Sequence, residues 1–213
     1  MTDTRWKHPF TAILAGPSGC GKTYFVKRFL TCLPSMVSVT FKNIVWCFGE
    51  WQPVYDTIQG YVSFQEGLPD IQQFNADSGP HLLIIDDQMR EADSRIVDLF
   101  TKGSHHRNLS IMFITQNLFH QGKGCRDISL NTHYIVCFKN PRDKGQIYHL
   151  CRQVCPENSL FLREAYQDAT TPPHGYLVLD LKQDTLDNLR FRTQIFPDDK
   201  CNYVYVPTKT VRK

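Results

Sequence analysis

The chain has 213 residues, of which 41% are hydrophobic, and its formal net charge is +3. This length suits one large α/β domain, and the apolar content excludes a wholly disordered chain. No run of about 18 apolar residues occurs, and the N-terminal stretch MTDTRWKHPF lacks the apolar segment of a secretory signal. We therefore expect neither a membrane span nor secretion, and the small positive charge neither demands nor excludes nucleic-acid binding.

The first predicted elements surround a glycine-rich loop. An apolar segment at Phe10–Ala15 predicts a strand that feeds directly into this loop. After the loop, apolar residues between Phe25 and Leu30 recur at helical spacing, and Pro34 is expected to end the helix. A second strand is predicted at Asn43–Phe48, and the segment YVSFQEGLP indicates a weaker one.

Uninterrupted apolar runs in the middle of the chain predict strands that are buried on both faces of a parallel sheet. The run HLLIIDD at His81–Asp87 ends in two carboxylates, and two more such strands are predicted at Leu109–Asn117 and Thr132–Asn140. Between the first two of these strands, DSRIVDLFTKGSHH has the pattern of an amphipathic helix that ends at Gly103.

The C-terminal part begins with two predicted helices, DKGQIYHLCRQV and PENSLFLREAYQDA, separated at Pro156. The segments GYLVLDL and LRFRTQIF indicate late strands that could form a hairpin, and a basic tail follows. The alternation of strands and helices predicts an α/β fold, with a mostly parallel, doubly wound sheet flanked by helices. We predict one domain over residues 1–213, with a core at about 8–182 and C-terminal strands and tail at 183–213.

The loop GPSGCGKT matches the phosphate-binding pattern G-x-x-x-x-G-K-[ST] in full. Its glycines let backbone N–H groups turn towards a phosphate, and the following helix adds its positive N-terminal end. Lys22 is expected to reach the β- and γ-phosphates of ATP, and the Thr23 hydroxyl to bind Mg²⁺. The predicted nucleotide-binding residues are Gly16, Pro17, Ser18, Gly19, Cys20, Gly21, Lys22 and Thr23.

Polar residues at the ends of two buried strands complete the predicted site. Asp86 ends the strand in HLLIIDD, the Walker B strand, and is the expected Mg²⁺ ligand. Asp87 is a candidate to polarise the attacking water. For either aspartate, the alternative is a cap on the next element. Gln116 ends the next strand and is the candidate sensor of the γ-phosphate, unless it is only a turn residue. Together these features predict a P-loop NTPase of the RecA-like additional-strand class.

An arginine finger would have to come from Arg107, Arg126 or Arg142, and we favour Arg107 and Arg126. For each of them, a surface or salt-bridged arginine is the alternative. Other P-loop classes fit less well, because the sequence has neither the N-K-x-D guanine reader of GTPases nor the L-S-G-G-Q signature of transporter ATPases.

The eight cysteines are scattered without a C-x-x-C pair. In a reducing compartment we interpret them as thiols that serve as small apolar residues. Cys151 and Cys155 are close to each other and His149 is nearby, but a metal site there would need two more ligands at workable spacing. Cys20, inside the phosphate loop, is interpreted as a small residue that fits there, the alternative being an oxidation-sensitive thiol.

Several segments together resemble the packaging ATPases of Polinton (Maverick) elements and adintovirus-like viruses, which belong to the FtsK–HerA superfamily with the poxvirus packaging ATPases. The segments are HPFTAILAGPSGCGKT, GEWQPVYD, LLIIDD, HHRNLSIMFITQN, ISLNTHYIVCFKNPRDKGQI and RQVCPENS. The most specific of them is SLNTHYIVCFKNPRD, and the resemblance extends from about His8 to Leu181. Family members commonly place the finger arginine just before the sensor strand. Here that place reads SHHR, so the finger is either a displaced Arg107 or another residue.

The resemblance implies an ATP- and Mg²⁺-dependent motor that translocates double-stranded DNA into a capsid. It also implies a ring, with a hexamer favoured, whose sites are completed by an arginine in trans, and capsid or portal-type partners. Lys123 and Arg126 lie in a loop that could face a DNA channel, although a solvated surface loop is the alternative. The expected location is the host nucleus or cytoplasm, or the virion. Two alternatives remain open: a helicase or other nucleic-acid remodelling ATPase, and a weakly hydrolysing, host-domesticated nucleotide-binding protein.

Overall fold

A computed structural model describes residues 3–58, 60, 62–74, 76–86, 94–103, 107–118, 128 and 130–208 of the protein. Within these ranges the strands form one nine-stranded sheet. The strands are β1 (Thr11–Ala15), β2 (Asn43–Phe48), β3 (Ser63–Glu66), β4 (His81–Asp86), β5 (Leu109–Thr115), β6 (Tyr134–Phe138), β7 (Tyr176–Asp180), β8 (Phe191–Thr193) and β9 (Tyr203–Tyr205). The α-helices are α1 (Lys22–Thr31), α2 (Leu33–Met36), α3 (Ser94–Asp98), α4 (Lys144–Val154) and α5 (Ser159–Ala169).

The sheet has the order β3-β2-β4-β5-β1-β6-β7-β8-β9, and its strands are parallel from β3 to β6. Strand β5 lies between β1, which leads into the phosphate loop, and β4, which ends at Asp86. This inserted strand confirms the predicted additional-strand arrangement. The last three strands are antiparallel to their neighbours, and the pairing of β7 with β8 confirms the C-terminal hairpin.

Both faces of the sheet are covered, which explains why the central strands are apolar throughout. On one face, alternate residues such as Leu14, Trp46 and Ile84 pack with α1 in a single core. On the other face, the intervening residues pack against α3 near β4 and β5, and against α4 and α5 near β6 and β7. Every residue of β1, β4, β5 and β6 is buried.

Element boundaries differ from the sequence predictions at three places. Helix α1 ends at Thr31, and Pro34 lies instead in the first turn of α2. Proline is tolerated there because backbone N–H groups in the first turn of a helix have no intrahelical acceptor. The helix predicted before Gly103 is divided into α3 and a π-helical turn at Leu99–Gly103. Strand β9 was not predicted, because its three residues at the sheet edge are largely exposed and carry no burial pattern.

The described cysteines are all free thiols, and Cys125 lies outside the described residues. Within the described part of the chain, no cluster of three histidine, cysteine or acidic residues is arranged to hold a metal ion. Among the described helices, none is long and apolar enough to cross a membrane.

Candidate nucleotide-binding site

The phosphate loop connects the end of β1 at Ala15 to the start of α1 at Lys22. Gly19 and Gly21 have φ angles of 76° and 106°, a left-handed conformation that glycine adopts without strain. A Cβ atom at Gly16 would lie 2.7 Å from the Cys20 sulfur and 2.8 Å from the Phe138 Cβ, so a larger residue would not fit. The loop therefore has the shape that directs the first N–H groups of α1 towards an anion.

Lys22 is buried and folded back onto the phosphate loop. Its Nζ atom donates hydrogen bonds to the carbonyl oxygens of Gly16 (2.5 Å) and Pro17 (2.9 Å). These two carbonyls accept hydrogen bonds that the Lys22 ammonium would otherwise donate to phosphate oxygens. A bound phosphate would therefore compete with these carbonyls for the hydrogen bonds of the Lys22 ammonium.

An open cleft of about 270 Å³ lies beside the phosphate loop, along the carboxyl ends of β4 and β5. Parallel strands bring their carboxyl ends to one edge of the sheet, which is where ligands bind in open α/β folds. The structure brings Lys22, Thr23, Asp86 and Gln116 together around this cleft, as the sequence predicted. Ser18, Gly19 and Gly21 line it as well, while Asp87 lies outside the described residues.

Asp86 is held by a tyrosine that the sequence analysis did not identify. The Tyr55 hydroxyl donates a 2.8 Å hydrogen bond to Asp86 Oδ2, and both residues are buried. Tyr55 belongs to a 3₁₀ helix at Pro53–Thr57, and its ring packs against Trp46 and Phe64 with centroids 5.4 Å away in each case. The aromatic composition of GEWQPVYD was visible in the sequence, but its partner lies 31 residues further along the chain.

The donor set at the cleft suits Mg²⁺. Thr23 supplies a hydroxyl oxygen and Asp86 a carboxylate oxygen, and Mg²⁺ prefers hard oxygen ligands combined with water and phosphate oxygens. Because Tyr55 engages one oxygen of Asp86, it fixes the orientation of the carboxylate.

The position of Gln116 is set by a tight turn after β5. Thr115 is buried, its hydroxyl donates to the Asn117 carbonyl at 3.1 Å, and the Asn117 N–H donates back to that hydroxyl at 3.2 Å. Gln116 is therefore presented at the rim of the cleft beside Asp86. Gln52 also lines the cleft, and the sequence analysis did not single it out.

Arg107 lies at the opposite end of β5 from Gln116. The seven residues of β5 rise by about 3.3 Å each, which places Arg107 roughly 20 Å or more from the cleft of its own chain. Its guanidinium donates to the Phe74 carbonyl at 3.2 Å. Arg142 is exposed in the turn between β6 and α4, and Arg126 and Lys123 lie outside the described residues. Arg107 is therefore too far from the cleft of its own chain to assist catalysis there.

Cys20 behaves as a packing residue of the loop. Burial raises the pKa of its thiol, although the nearby Lys22 ammonium acts in the opposite direction. A protonated thiol is a poor nucleophile, so reactivity is suppressed. Its contact with Gly16 supports the interpretation of Cys20 as a small residue that fits the loop.

Similar proteins were found among solved structures, whereas no family model matches the chain and no curated protein matches its sequence. The genome-packaging NTPase B204 of Sulfolobus turreted icosahedral virus 2, in complex with ATP-gammaS, is 15% identical with a TM-score of 0.56, over 93% of this chain and 97% of that chain. The DNA-packaging ATPase B204 of Sulfolobus turreted icosahedral virus is 11% identical, with a TM-score of 0.57. The match covers 94% of this chain and 99% of that chain. EssC (ATPases 2 and 3) from Geobacillus thermodenitrificans is 12% identical, with a TM-score of 0.53, and the match covers 94% of this chain and 40% of that chain.

At these identities the similarity defines the fold. The chain has a P-loop NTPase fold of the type found in the two B204 proteins, and it matches them over nearly the whole length of both chains.

Proposed function

We propose that the protein is an ATPase that drives double-stranded DNA into a viral-type capsid. The observation that carries this proposal is the cleft in which the phosphate loop, Asp86 and Gln116 meet, with β5 inserted between β1 and β4. The fold supports the packaging role, because the two B204 proteins that it matches end to end are packaging NTPases. The sequence resemblance to Polinton and adintovirus-like packaging ATPases points to the same activity.

In the proposed mechanism, the phosphates of ATP lie on the N–H groups of the loop. Lys22 leaves the carbonyls of Gly16 and Pro17 and binds the β- and γ-phosphates. Thr23 and Asp86 would hold Mg²⁺, which when bound neutralises charge on the phosphates. Gln116 orients the water that attacks the γ-phosphorus, and Asp87 accepts its proton, while the bond from that phosphorus to the bridging oxygen breaks and ADP leaves.

The proposed motor is a ring of identical subunits that surrounds DNA. Arg107 is too far from its own cleft to assist there, so as a finger it would act at the cleft of the adjacent subunit in a head-to-tail contact, and Arg126 stays the other candidate. Such a contact closes into a ring, for which we favour a hexamer, and a few lysines and arginines per subunit suffice to grip DNA phosphates. A capsid or portal-type protein would be the further partner, and the host nucleus or cytoplasm, or the virion, the place of action.

The test of this function is ATP hydrolysis by the purified protein with and without linear duplex DNA, together with its mass in an ATP analogue. We expect duplex DNA to stimulate hydrolysis, the stimulation to weaken as salt rises, and the mass to be that of a ring. Stimulation by single strands alone would favour a helicase. Nucleotide binding without turnover under any condition would favour the weakly hydrolysing alternative.

The role of Asp87 is tested separately. Asp87→Asn should bind ATP with unchanged affinity but hydrolyse it at least about 100-fold more slowly, since the base for the attacking water is lost. Glu157→Gln, which neutralises an exposed carboxylate before α5, is the matched control and should retain the wild-type rate. A normal rate in Asp87→Asn would remove Asp87 from catalysis.

A further inference from the structure

A second cavity adjoins the phosphate loop at the first turn of α1. Its volume is about 310 Å³, at the lower end of the range typical of small-molecule sites. One wall is formed by Tyr24 and Phe25 of α1, and the other by the loop Pro172–Gly175 and by Gln194 after β8. No residue predicted from the sequence as catalytic or metal-binding lines this cavity.

The cavity adjoins the phosphate cleft, because Gly21 and Tyr24 line both. Asp86 and Gln116 mark the γ-phosphate end of the cleft. The α-phosphate and the nucleoside attached to it lie away from that end. Gly21 and Tyr24 are the residues at which the second cavity adjoins the cleft.

We propose that this cavity holds the adenosine moiety of the nucleotide whose phosphates occupy the loop. The inference rests on the proposed ATPase function and adds to it the part of the site that recognises the base.

The backbone at the cavity is held in an uncommon conformation. Three described residues other than glycine have positive φ angles, and two of them, His174 (59°) and Gln194 (51°), line this cavity. Such conformations cost on the order of 1 kcal/mol each and tend to occur at ligand-binding sites. The third, Asn108, lies at the far edge of the sheet, before β5.

The loop that forms one wall is locked against the phosphate loop. His174 Nδ1 lies 3.3 Å from the Cys20 carbonyl oxygen, and a Cβ atom at Gly21 would come within 3.2 Å of the His174 ring. A Cβ at Gly175 would lie 2.5 Å from the Ala169 carbonyl oxygen, so the loop closes too tightly for any larger residue there. The wall is therefore formed before a ligand arrives, which lowers the entropic cost of binding.

The chemistry of the lining suits a flat base with a polar edge. Tyr24 is 64% exposed and offers an aromatic face, and the two prolines opposite are apolar. The Gln194 side chain offers both a donor and an acceptor, the combination that pairs with the N6 and N7 atoms of adenine.

The cationic residue at the cavity does not make it a second anion site. Arg28 forms ion pairs of 2.7 Å with both Asp198 and Asp199, and its guanidinium lies 4.2 Å from the centre of the Phe196 ring. Its charge is thus balanced within the protein. The cavity is suited to a neutral nucleoside rather than to a phosphate group.

The test is calorimetric titration with three probes in the presence of Mg²⁺: AMP-PNP, GMP-PNP and inorganic tripolyphosphate. The wild-type protein should bind AMP-PNP most tightly. Gln194→Gly removes the amide while keeping a residue that tolerates positive φ. We expect it to weaken AMP-PNP about tenfold, to reduce the preference over GMP-PNP, and to leave tripolyphosphate unchanged. Tyr24→Ala should weaken both nucleotides more than it weakens tripolyphosphate, since Tyr24 lines both cavities.

Asn108→Gly is the matched control, since it makes the same kind of change at a positive-φ residue outside the cavity, and it should bind all three probes like the wild type. Equal affinities of wild-type protein for AMP-PNP and tripolyphosphate, or unchanged nucleotide binding in both Gln194→Gly and Tyr24→Ala, would overturn the adenosine pocket alone. A wild-type protein that binds none of the probes would overturn the proposed function as well.

Discussion

Two aspartates in this sheet carry the same sequence signal and have different roles. Asp86 and Asp180 each end an apolar strand, and each is 4% exposed. Strand β7 is antiparallel to β6, so Asp180 lies opposite Tyr134, at the edge where the parallel strands begin. Asp86 lies at the edge where they end and faces the cleft. The direction of a strand, which depends on distant pairing, decides whether its terminal carboxylate meets a ligand.

The partners of the two carboxylates differ accordingly. Asp180 Oδ2 accepts a 2.8 Å hydrogen bond from the Arg192 guanidinium, which is buried too, and Thr185 donates to Oδ1 at 2.9 Å. Asp86 accepts from the neutral Tyr55 hydroxyl and shares its cleft with Lys22 and Thr23. Changes at the Asp86 edge should therefore reduce ATP turnover, and changes at the Asp180 edge should reduce stability.

The largest effect is expected at the Asp86 edge. Lys22→Ala removes the ammonium that binds the β- and γ-phosphates, so ATP hydrolysis should fall by about 1,000-fold or more. Stability should change by only about 1 kcal/mol, because the lost hydrogen bonds are to carbonyls of the loop. Phosphate release and thermal unfolding of the same preparation measure both. Unchanged hydrolysis would contradict the assignment of the phosphate loop.

At the other edge, Asp180→Asn leaves the buried Arg192 without its counter-charge. Breaking a buried ion pair costs about 3–5 kcal/mol, so the free energy of unfolding should fall by that amount. Burial raises the pKa of Asp180 even with Arg192 beside it, because removing the carboxylate from water disfavours its charge. Urea unfolding gives the stability, and the folded fraction should keep the wild-type rate of ATP hydrolysis. A stable but inactive variant would reverse the roles given to the two edges.

A smaller effect is expected for Tyr55→Phe, which removes the hydrogen bond to Asp86. Loss of a partner that orients a metal ligand typically weakens metal binding by about 10–100-fold. The Mg²⁺ concentration for half-maximal hydrolysis should rise accordingly, and direct Mn²⁺ binding should weaken with it. The control is Tyr134→Phe. The Tyr134 hydroxyl, which this variant lacks, accepts a hydrogen bond from the Lys7 N–H at the opposite edge of the sheet. If both variants have the same metal requirement as the wild type, Tyr55 does not position Asp86.

The smallest effect concerns pH and the edge where the parallel strands begin. There His8 lies between Ser110 and Asn108, at 2.6 Å from each, and burial lowers its pKa below the usual value. Ser110 accepts from the Phe10 N–H at 3.1 Å and can donate its own proton to a neutral His8 ring. The unfolded chain therefore binds a proton more readily than the folded one.

The stabilisation from His8 should be complete above about pH 6.5, the usual pKa of histidine, and should be lost as the pH falls through the lower pKa of the folded state. The free energy of unfolding should fall by at most about 1.4 kcal/mol for each pH unit in this range. We expect the difference in unfolding free energy between wild type and His8→Gln to shrink from pH 8 to pH 5. A difference that is constant, or that grows as the pH falls, would contradict the assignment.

The elements that the sequence predicts well are those with strong local signals. The phosphate loop, the buried strands β4 and β5 and the position of Gln116 follow from glycine spacing and apolar runs. Tyr55 and the cavity at Gln194 depend on contacts between distant segments, which no local pattern records. Strand β9 has too few residues and too little burial to give a periodic signal.

The most direct test of the account is the rate of ATP hydrolysis by Asp86→Asn, measured beside its thermal stability. Asparagine keeps the shape of the side chain and an oxygen that can accept from Tyr55, but it lacks the charge that Mg²⁺ requires. We predict a rate at least about 100-fold lower at nearly unchanged melting temperature. A folded variant that hydrolyses ATP at the wild-type rate would contradict the assignment of this cleft as the catalytic site.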